Sequence, residues 1–219
     1  MNEQIRDRRL IIIGAGGSGV EALQTARRMN CWVIVGFADD RAELKGQLVD
    51  GLIVLGGTEE VVERYSGQAI RFHVAVGSNR DRMRLASDYE AKDFIAATLV
   101  DTSAYVAVSA TLLEGACIAP LAFVGPFSKV GRHAMVNVGS SVGHHATLDD
   151  FSQACPGARI SGYGRLGKGA FVGSNGVVGP GVKVGEWATV GAASFANIDV
   201  PAGFSAVGVP ARMLGMPKH

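Results

Sequence analysis

The sequence predicts two joined architectures. The first is an α/β unit on a parallel sheet, over residues 1–100; the second is a parallel β-helix of six-residue repeats, over residues 101–219. Three observations predict them. Short apolar runs alternate with helically spaced apolar residues in the first part. An aliphatic residue recurs every six positions in the second. The composition also shifts: residues 1–100 carry 27 charged side chains and 11 Gly, while residues 101–219 carry 14 and 19.

In the first part, Leu10-Ile11-Ile12-Ile13 is an apolar run of the buried-strand type. Gly14-Ala15-Gly16-Gly17-Ser18-Gly19 breaks it, and Val20 to Met29 has helical spacing. Trp32 to Phe37 reads as a second strand, closed by Asp39-Asp40. Leu52 to Leu55 is a weaker third. Thr58 is placed to cap a helix whose Glu59 and Glu60 suit its first turn. Phe72 to Val76 is a fourth strand, and a charged helix follows from about Asn79 to Ala91. Strands that alternate with helices imply a parallel sheet.

In the second part, every sixth residue from Val106 to Ala196 is Val, Leu or Ile, except Ala154 and Ala196. The position two residues earlier is Ala, Ser or Gly throughout, except Val182. A helix repeats at 3.6 and a strand at 2, so six is the period of neither alone. A short strand plus a turn does, and three such units make one coil of about 18 residues in a triangular prism. The aliphatic residues stack inside, the small residues sit where the wall is crowded, and Gly suits the turns. Each coil buries its apolar face only against its neighbours.

Several function classes drop out on composition. Net charge is +1, which advertises neither a nucleic-acid nor an anionic-membrane partner. The run Leu10–Ile13 is far short of the ~20 residues of a membrane span. It is followed by Gly-rich sequence rather than a signal-peptide pattern. Cys31, Cys117 and Cys155 show neither zinc spacing nor a disulfide framework, which fits buried or semi-buried thiols in a reducing cytoplasm.

Two candidate sites carry chemistry. Gly14-x-Gly16-x-x-Gly19 follows a strand, opens a helix, and has Asp39 twenty residues beyond. Its backbone N–H groups suit a phosphate, and the acid suits a ribose. About 100 residues with four short strands supply barely one mononucleotide half. A single nucleotide diphosphate, as in a nucleotide-sugar, therefore fits better than NAD. The second candidate is His144-His145, preceded by Asn137. His144 lies two residues after Val142, at a wall or corner. From register alone it is a solvated turn residue or a base. His133 and His145 are twelve residues apart and so on different faces, which argues against a metal site.

These motifs, with Phe37-Ala38-Asp39-Asp40, Val76-Gly77-Ser78-Asn79-Arg80, Asn137-Val138-Gly139 and Gly208-Val209-Pro210-Ala211-Arg212, resemble a known family over nearly the whole chain. It is the bacterial nucleotide-sugar N-acetyltransferases of the sialic-acid and bacillosamine (NeuD/PglD-like) type. The resemblance implies a Rossmann-like N-terminal domain and a left-handed β-helix. It also implies a homotrimer, with acetyl-CoA in the groove between neighbouring prisms and no metal. A nucleotide-linked amino sugar would bind near Gly14, Gly16, Gly17, Ser18, Asp39 and Asp40. His144 would take the proton from the amine during direct acyl transfer. The Gly162 N–H would meet the oxyanion, Asn137 would line the site, and Gly173 and Gly179 would border acetyl-CoA.

The chain departs from the family pattern at several positions. An acid usually follows the base, and here His145 does. Gly143, Val138, Ser18 and Gln153 stand where Glu, Thr, His and His are common. A backbone carbonyl would then orient His144, or His145 would share its work. The alternatives are O-acetylation of a sugar hydroxyl and a non-catalytic nucleotide-sugar-binding protein. A zinc-dependent β-helix carbonic anhydrase needs three convergent histidines, which the register does not supply.

Overall fold

The computed structural model describes residues 8–214, and the chain divides into two compact units between Leu99 and Val100. Among the described residues, the first unit is a six-stranded sheet with three α-helices and a 3-10 turn at Ala42–Leu44. Its elements are β1 (Arg9–Ile13), α1 (Gly17–Met29), β2 (Val33–Ala38), β3 (Leu48–Val49), β4 (Leu52–Gly56), α2 (Thr58–Tyr65), β5 (Arg71–Val74), α3 (Asn79–Glu90) and β6 (Ile95–Ala96). The strand order is β3-β4-β2-β1-β5-β6. Only the short β3 runs antiparallel, against β4. The β1 residues Leu10 to Ile13 are fully buried, as their continuous apolar run requires.

The order reverses at β1, which pairs with β2 on one side and β5 on the other. Such a switch point leaves a crevice at the carboxyl ends of the strands. The glycine-rich loop opens there. Gly14 is in a left-handed conformation (φ 101°), and its N–H donates to the Ala38 carbonyl at 2.7 Å. A Cβ at Gly19 would collide with the Gly14 carbonyl, so that glycine lets α1 pack down on the loop. Helix α1 begins at Gly17, three residues before the sequence expectation, and its N-cap Gly16 offers no side-chain cap.

Asp39 braces this loop. Its Oδ2 accepts from the Ala15 N–H at 2.7 Å and from Arg41 at 2.9 Å, and its Oδ1 accepts from Arg41 Nε at 2.8 Å. The Arg41 guanidinium does most to hold the Asp39 pKa down, to about 2; burial opposes it and the Ala15 amide adds to it. Asp40 corrects one expectation. Thr58 does not cap α2: it is the first helical residue, and Gly57 occupies the cap position without a side chain to offer. Asp40 Oδ1 supplies the acceptor instead, taking the Thr58 N–H and the Thr58 hydroxyl at 2.7 Å each. Ser78 caps α3 in the ordinary way, accepting from the Asp81 N–H at 3.2 Å.

The second unit is a left-handed parallel β-helix. Two-residue strands stack into three sheets, and each strand pairs with its counterpart one full coil away: Cys117 with Met135, Phe123 with Ser141, Lys129 with Thr147. The aliphatic column is the core. Ile118, Val124, Val130, Val136, Val142 and Leu148 are fully buried. The repeat runs beyond Ala196 with a two-residue contraction, so that Val184 bridges Val200 and Thr189 pairs with Ser205. An antiparallel hairpin, Ser205–Gly208 with Ala211–Met213, ends the stack through a cis Val209-Pro210 bond.

The turns differ from the expectation. From Gly115 to Ala193 every sixth residue has a positive φ, and nine of these fourteen are not Gly. They include Phe127, His133, His145, Phe151, Tyr163 and Trp187. The glycines directly after the aliphatic residues, Gly191 excepted, have another cause, namely the backbone of the next coil. A Cβ at Gly143 would lie 2.6 Å from the Gly162 nitrogen, and one at Gly173 would lie 2.6 Å from that of Ala192.

Both units yield a stability test. Leu148→Ala opens a cavity between stacked coils and should lower unfolding free energy by about 2–5 kcal/mol in urea titrations. Asp39→Asn removes a group whose folded pKa lies below its unfolded value. Its stabilisation is present above about pH 4 and is lost as pH falls towards about 2. Arg41 is half exposed, so screening limits the loss at pH 7 to on the order of 1 kcal/mol. The gap between wild type and variant should close below pH 4.

Candidate active site

His144 and His145 lie at the corner that follows the buried Val142. Coil-to-coil bonds fix their backbone: the His145 N–H donates to the Pro126 carbonyl at 3.0 Å, and the Tyr163 N–H to the His144 carbonyl at 3.0 Å. The one-coil offset stacks the corner into two columns. One holds Pro126, His144, Gly162 and Pro180. The other holds Phe127, His145, Tyr163 and Gly181.

The imidazole of His145 is sandwiched. Its ring stacks on Phe127 at 5.1 Å (29°) and on Tyr163 at 4.7 Å (14°). Its Nδ1 lies 3.2 Å from Nδ1 of His144. The His144 ring stands perpendicular to both His145 and Tyr163, at 85° and 86°. Its far side covers Gly162, where a Cβ would lie 2.6 Å from both Cε1 and Nε2. The Gly162 carbonyl accepts from Gly181, but its N–H has no acceptor among the described residues. The corner thus pairs a base-type side chain with an open backbone donor. Both histidines are exposed in the single chain.

The other expected residues of this unit stand farther off. Asn137 is half-buried one corner earlier, and its side chain bonds neither histidine. Gly173 stacks two coils beyond Asn137, where its N–H donates to Val190. Gly179 sits at the histidine corner, two coils beyond Gly143, and donates to Ala196. The sequence reading missed Phe127 and Tyr163. They were available by stepping one coil either way from His145.

In the first unit, Gly16 and Gly17 are exposed and Ser18 is half-buried at the N-terminus of α1. The first intrahelical bond runs from Val20 to Gly16, so the N–H groups of Gly17, Ser18 and Gly19 are left for a ligand or water. The first turn carries no acid, which keeps the positive end of the helix dipole uncompensated. A cleft of about 350 Å³ adjoins Gly14 and is lined by Asp39, Asp40, Arg41, Thr58 and Arg84. The Asp39 and Asp40 carboxylates are both engaged, with Ala15 and Arg41 and with Thr58. Arg41 and Arg84 are the residues here that the sequence reading did not single out. Among the described residues, no group of three His, Cys, Asp or Glu is placed to hold a metal ion. No described helix is long and apolar enough to cross a membrane.

Comparison with known proteins agrees with this geometry. The family model of the PglD N-terminal domain matches residues 9–89. None of the curated proteins searched matches the chain. Among solved structures, the acetyltransferase domain of PglB from Neisseria gonorrhoeae is 32% identical. Its TM-score is 0.89, with 94% of this chain and 100% of that one covered. The same domain in complex with acetyl coenzyme A gives 29% identity and a TM-score of 0.88, covering 94% and 99%. A mutant perosamine N-acetyltransferase from Caulobacter crescentus, in complex with CoA and GDP-perosamine, gives 28% and 0.89, covering 94% and 96%. Agreement of this extent, in both units at once, means that the chain belongs to the PglD/NeuD-like sugar N-acetyltransferases, which join a PglD-type N-terminal domain to a left-handed β-helix of hexapeptide repeats.

Proposed function

We propose that this protein transfers the acetyl group of acetyl-CoA to the amine of a nucleotide-linked amino sugar. The observation that carries the reading is the His144 imidazole lying over Gly162, whose N–H is open. Solved relatives of the same architecture hold acetyl-CoA, or CoA with GDP-perosamine. The open amides of Gly17 and Ser18, and the cleft lined by Gly14 and Asp39, suit the diphosphate and ribose of such a substrate.

The chemistry assigned to the corner is direct acyl transfer. The amine nitrogen attacks the thioester carbonyl, and one of its protons passes to Nε2 of His144. Negative charge develops on the former carbonyl oxygen, where the Gly162 N–H is the available donor. Collapse of the tetrahedral species breaks the C–S bond. The CoA sulfur leaves and takes the proton back from the imidazolium. No covalent enzyme intermediate is needed, because proximity of the two substrates supplies much of the rate.

Three further assignments accompany this reading. His144 and His145 are exposed in the single chain, and a dry site needs a cover. A homotrimer would supply it from a neighbouring prism. Cys31, Cys117 and Cys155 form no disulfide among the described residues, which suits a reducing cytoplasm, where acetyl-CoA is available. Asn137, Gly173 and Gly179 are assigned to the walls of the acetyl-CoA groove.

The test is a thiol-release assay with acetyl-CoA and a panel of UDP-, GDP- and dTDP-linked 4-amino sugars, with hydroxyl-bearing analogues as a control. At least one amino sugar should drive CoA release. His144→Ala should lower kcat by roughly 10²–10⁴-fold. Release driven only by the hydroxyl analogues would replace N- with O-acetylation. Binding without release would leave a nucleotide-sugar-binding protein. A second variant reads the geometry itself: Gly162→Ala places a methyl where the imidazole lies. It should cut kcat by about 10²-fold while leaving the KM for acetyl-CoA and the melting temperature close to wild type.

A further inference from the structure

We propose that His145 is the positioning residue of His144: a neutral imidazole, clamped between two aromatic rings, that selects the tautomer in which His144 works as a base. This rests on the reading of His144 as the base. An exposed imidazole presents either nitrogen, and carries its proton on either, unless something chooses. To accept a proton on the Gly162 side, His144 needs a lone pair on Nε2 and therefore a proton on Nδ1. Only one side chain meets that Nδ1 among the described residues, and it is His145 at 3.2 Å. His145 must then accept on its own Nδ1 and carry its proton on Nε2.

A partner that orients another group must itself be fixed. The Phe127 and Tyr163 rings hold His145 from both faces, and the His145 N–H is tied to the Pro126 carbonyl of the previous coil. Tyr163 also sets its ring at right angles to His144, so one aromatic residue touches both members of the pair. The groups facing the pair are Phe127, Tyr163 and Gly162. Tyr163 alone among them is ionisable, and no described carboxylate bonds either ring.

The arrangement balances through the reaction. When the amine proton reaches Nε2 of His144, the new imidazolium keeps its Nδ1 proton and donates it more strongly to His145. When the CoA sulfur takes the Nε2 proton, the pair returns to its starting form.

The experiment uses the full chain, with wild type, His144→Ala, His145→Phe and His145→Glu. His145→Phe keeps a ring in the stack and removes the nitrogen; His145→Glu restores an acceptor of another kind. For His145→Phe, the melting temperature and both KM values should stay near wild type while kcat falls about 10–100-fold. His145→Glu should recover most of that loss. Nitrogen-15 spectra of the histidines should show the Nδ1–H tautomer of His144 in wild type and a mixture in His145→Phe.

Wild-type kcat in His145→Phe would overturn the proposal, as would a loss confined to KM. If His144→Ala stays active, the base reading itself fails. The tautomer then decides the pairing alone: no change on His145→Phe overturns it, and a change upholds it. If His144→Ala is inactive while His145→Phe is unaffected, the base reading stands and only the positioning role falls.

Discussion

Backbone hydrogen bonds between each coil and the next govern everything in the second unit. Each two-residue strand is too short to hold itself, and its N–H and C=O groups find partners only in the coil above or below. That requirement fixes the register, because a slip would move the aliphatic column out of the prism. It also fixes the corners. A chain that must turn three times per coil adopts a left-handed backbone conformation at every sixth position from 115 to 193. Bulky residues there cost roughly 1–2 kcal/mol each relative to Gly. Coil-to-coil bonds offset that cost: seven of the nine non-Gly corners donate to a backbone carbonyl of the previous coil, as His145 does to Pro126, and Leu121 and Phe127 donate to the Ser103 and Ser109 hydroxyls.

The same constraint builds the candidate site. In a solenoid, neighbours in space are one whole coil apart in sequence, so a corner reads as a column. Phe127, His145 and Tyr163 become a stack because they share a corner on three successive coils. Gly162 sits beneath His144 for the same reason, and the lack of a side chain leaves room for the imidazole. The first unit works differently. Its site is the end of a sheet, where a glycine loop, a helix N-terminus and the carboxylates after β2 converge at a switch point. Asp39 ties the loop to Arg41, and Asp40 ties β2 to the start of α2.

Much of this was legible in the sequence. The six-residue period implied the coil length, the core column and the crowded small positions. The Gly14–Gly19 pattern implied the strand-loop-helix entry. The misses have physical reasons. Thr58 is a good cap residue by type, but a tertiary contact from Asp40 took that role, and local propensity carries no trace of it. Gly after the aliphatic residue resembled a turn signal. It marks instead the close approach of the next coil, while the left-handed positions are mostly not Gly and so show no composition signal. The contraction between Ala196 and Val200 ended the visible register although the prism continued. Tyr163 and Phe127 were reachable by counting one coil forward or back. Every corner position can be found that way, however, and only ring geometry shows which columns stack.

A prism corner suits a base for a reason that follows from its rigidity. General-base catalysis needs the accepting nitrogen within hydrogen-bond reach of one proton, in one tautomer. A flexible loop would meet that need only part of the time. At this corner the backbone on both sides of His144 is bonded to adjacent coils, its ring is flanked by His145 and Tyr163, and Gly162 lies beneath it. The remaining freedom is the side open to solvent. In the proposed reaction the substrate amine and the thioester enter there, so the site would be completed from the one direction in which the coil leaves His144 uncovered.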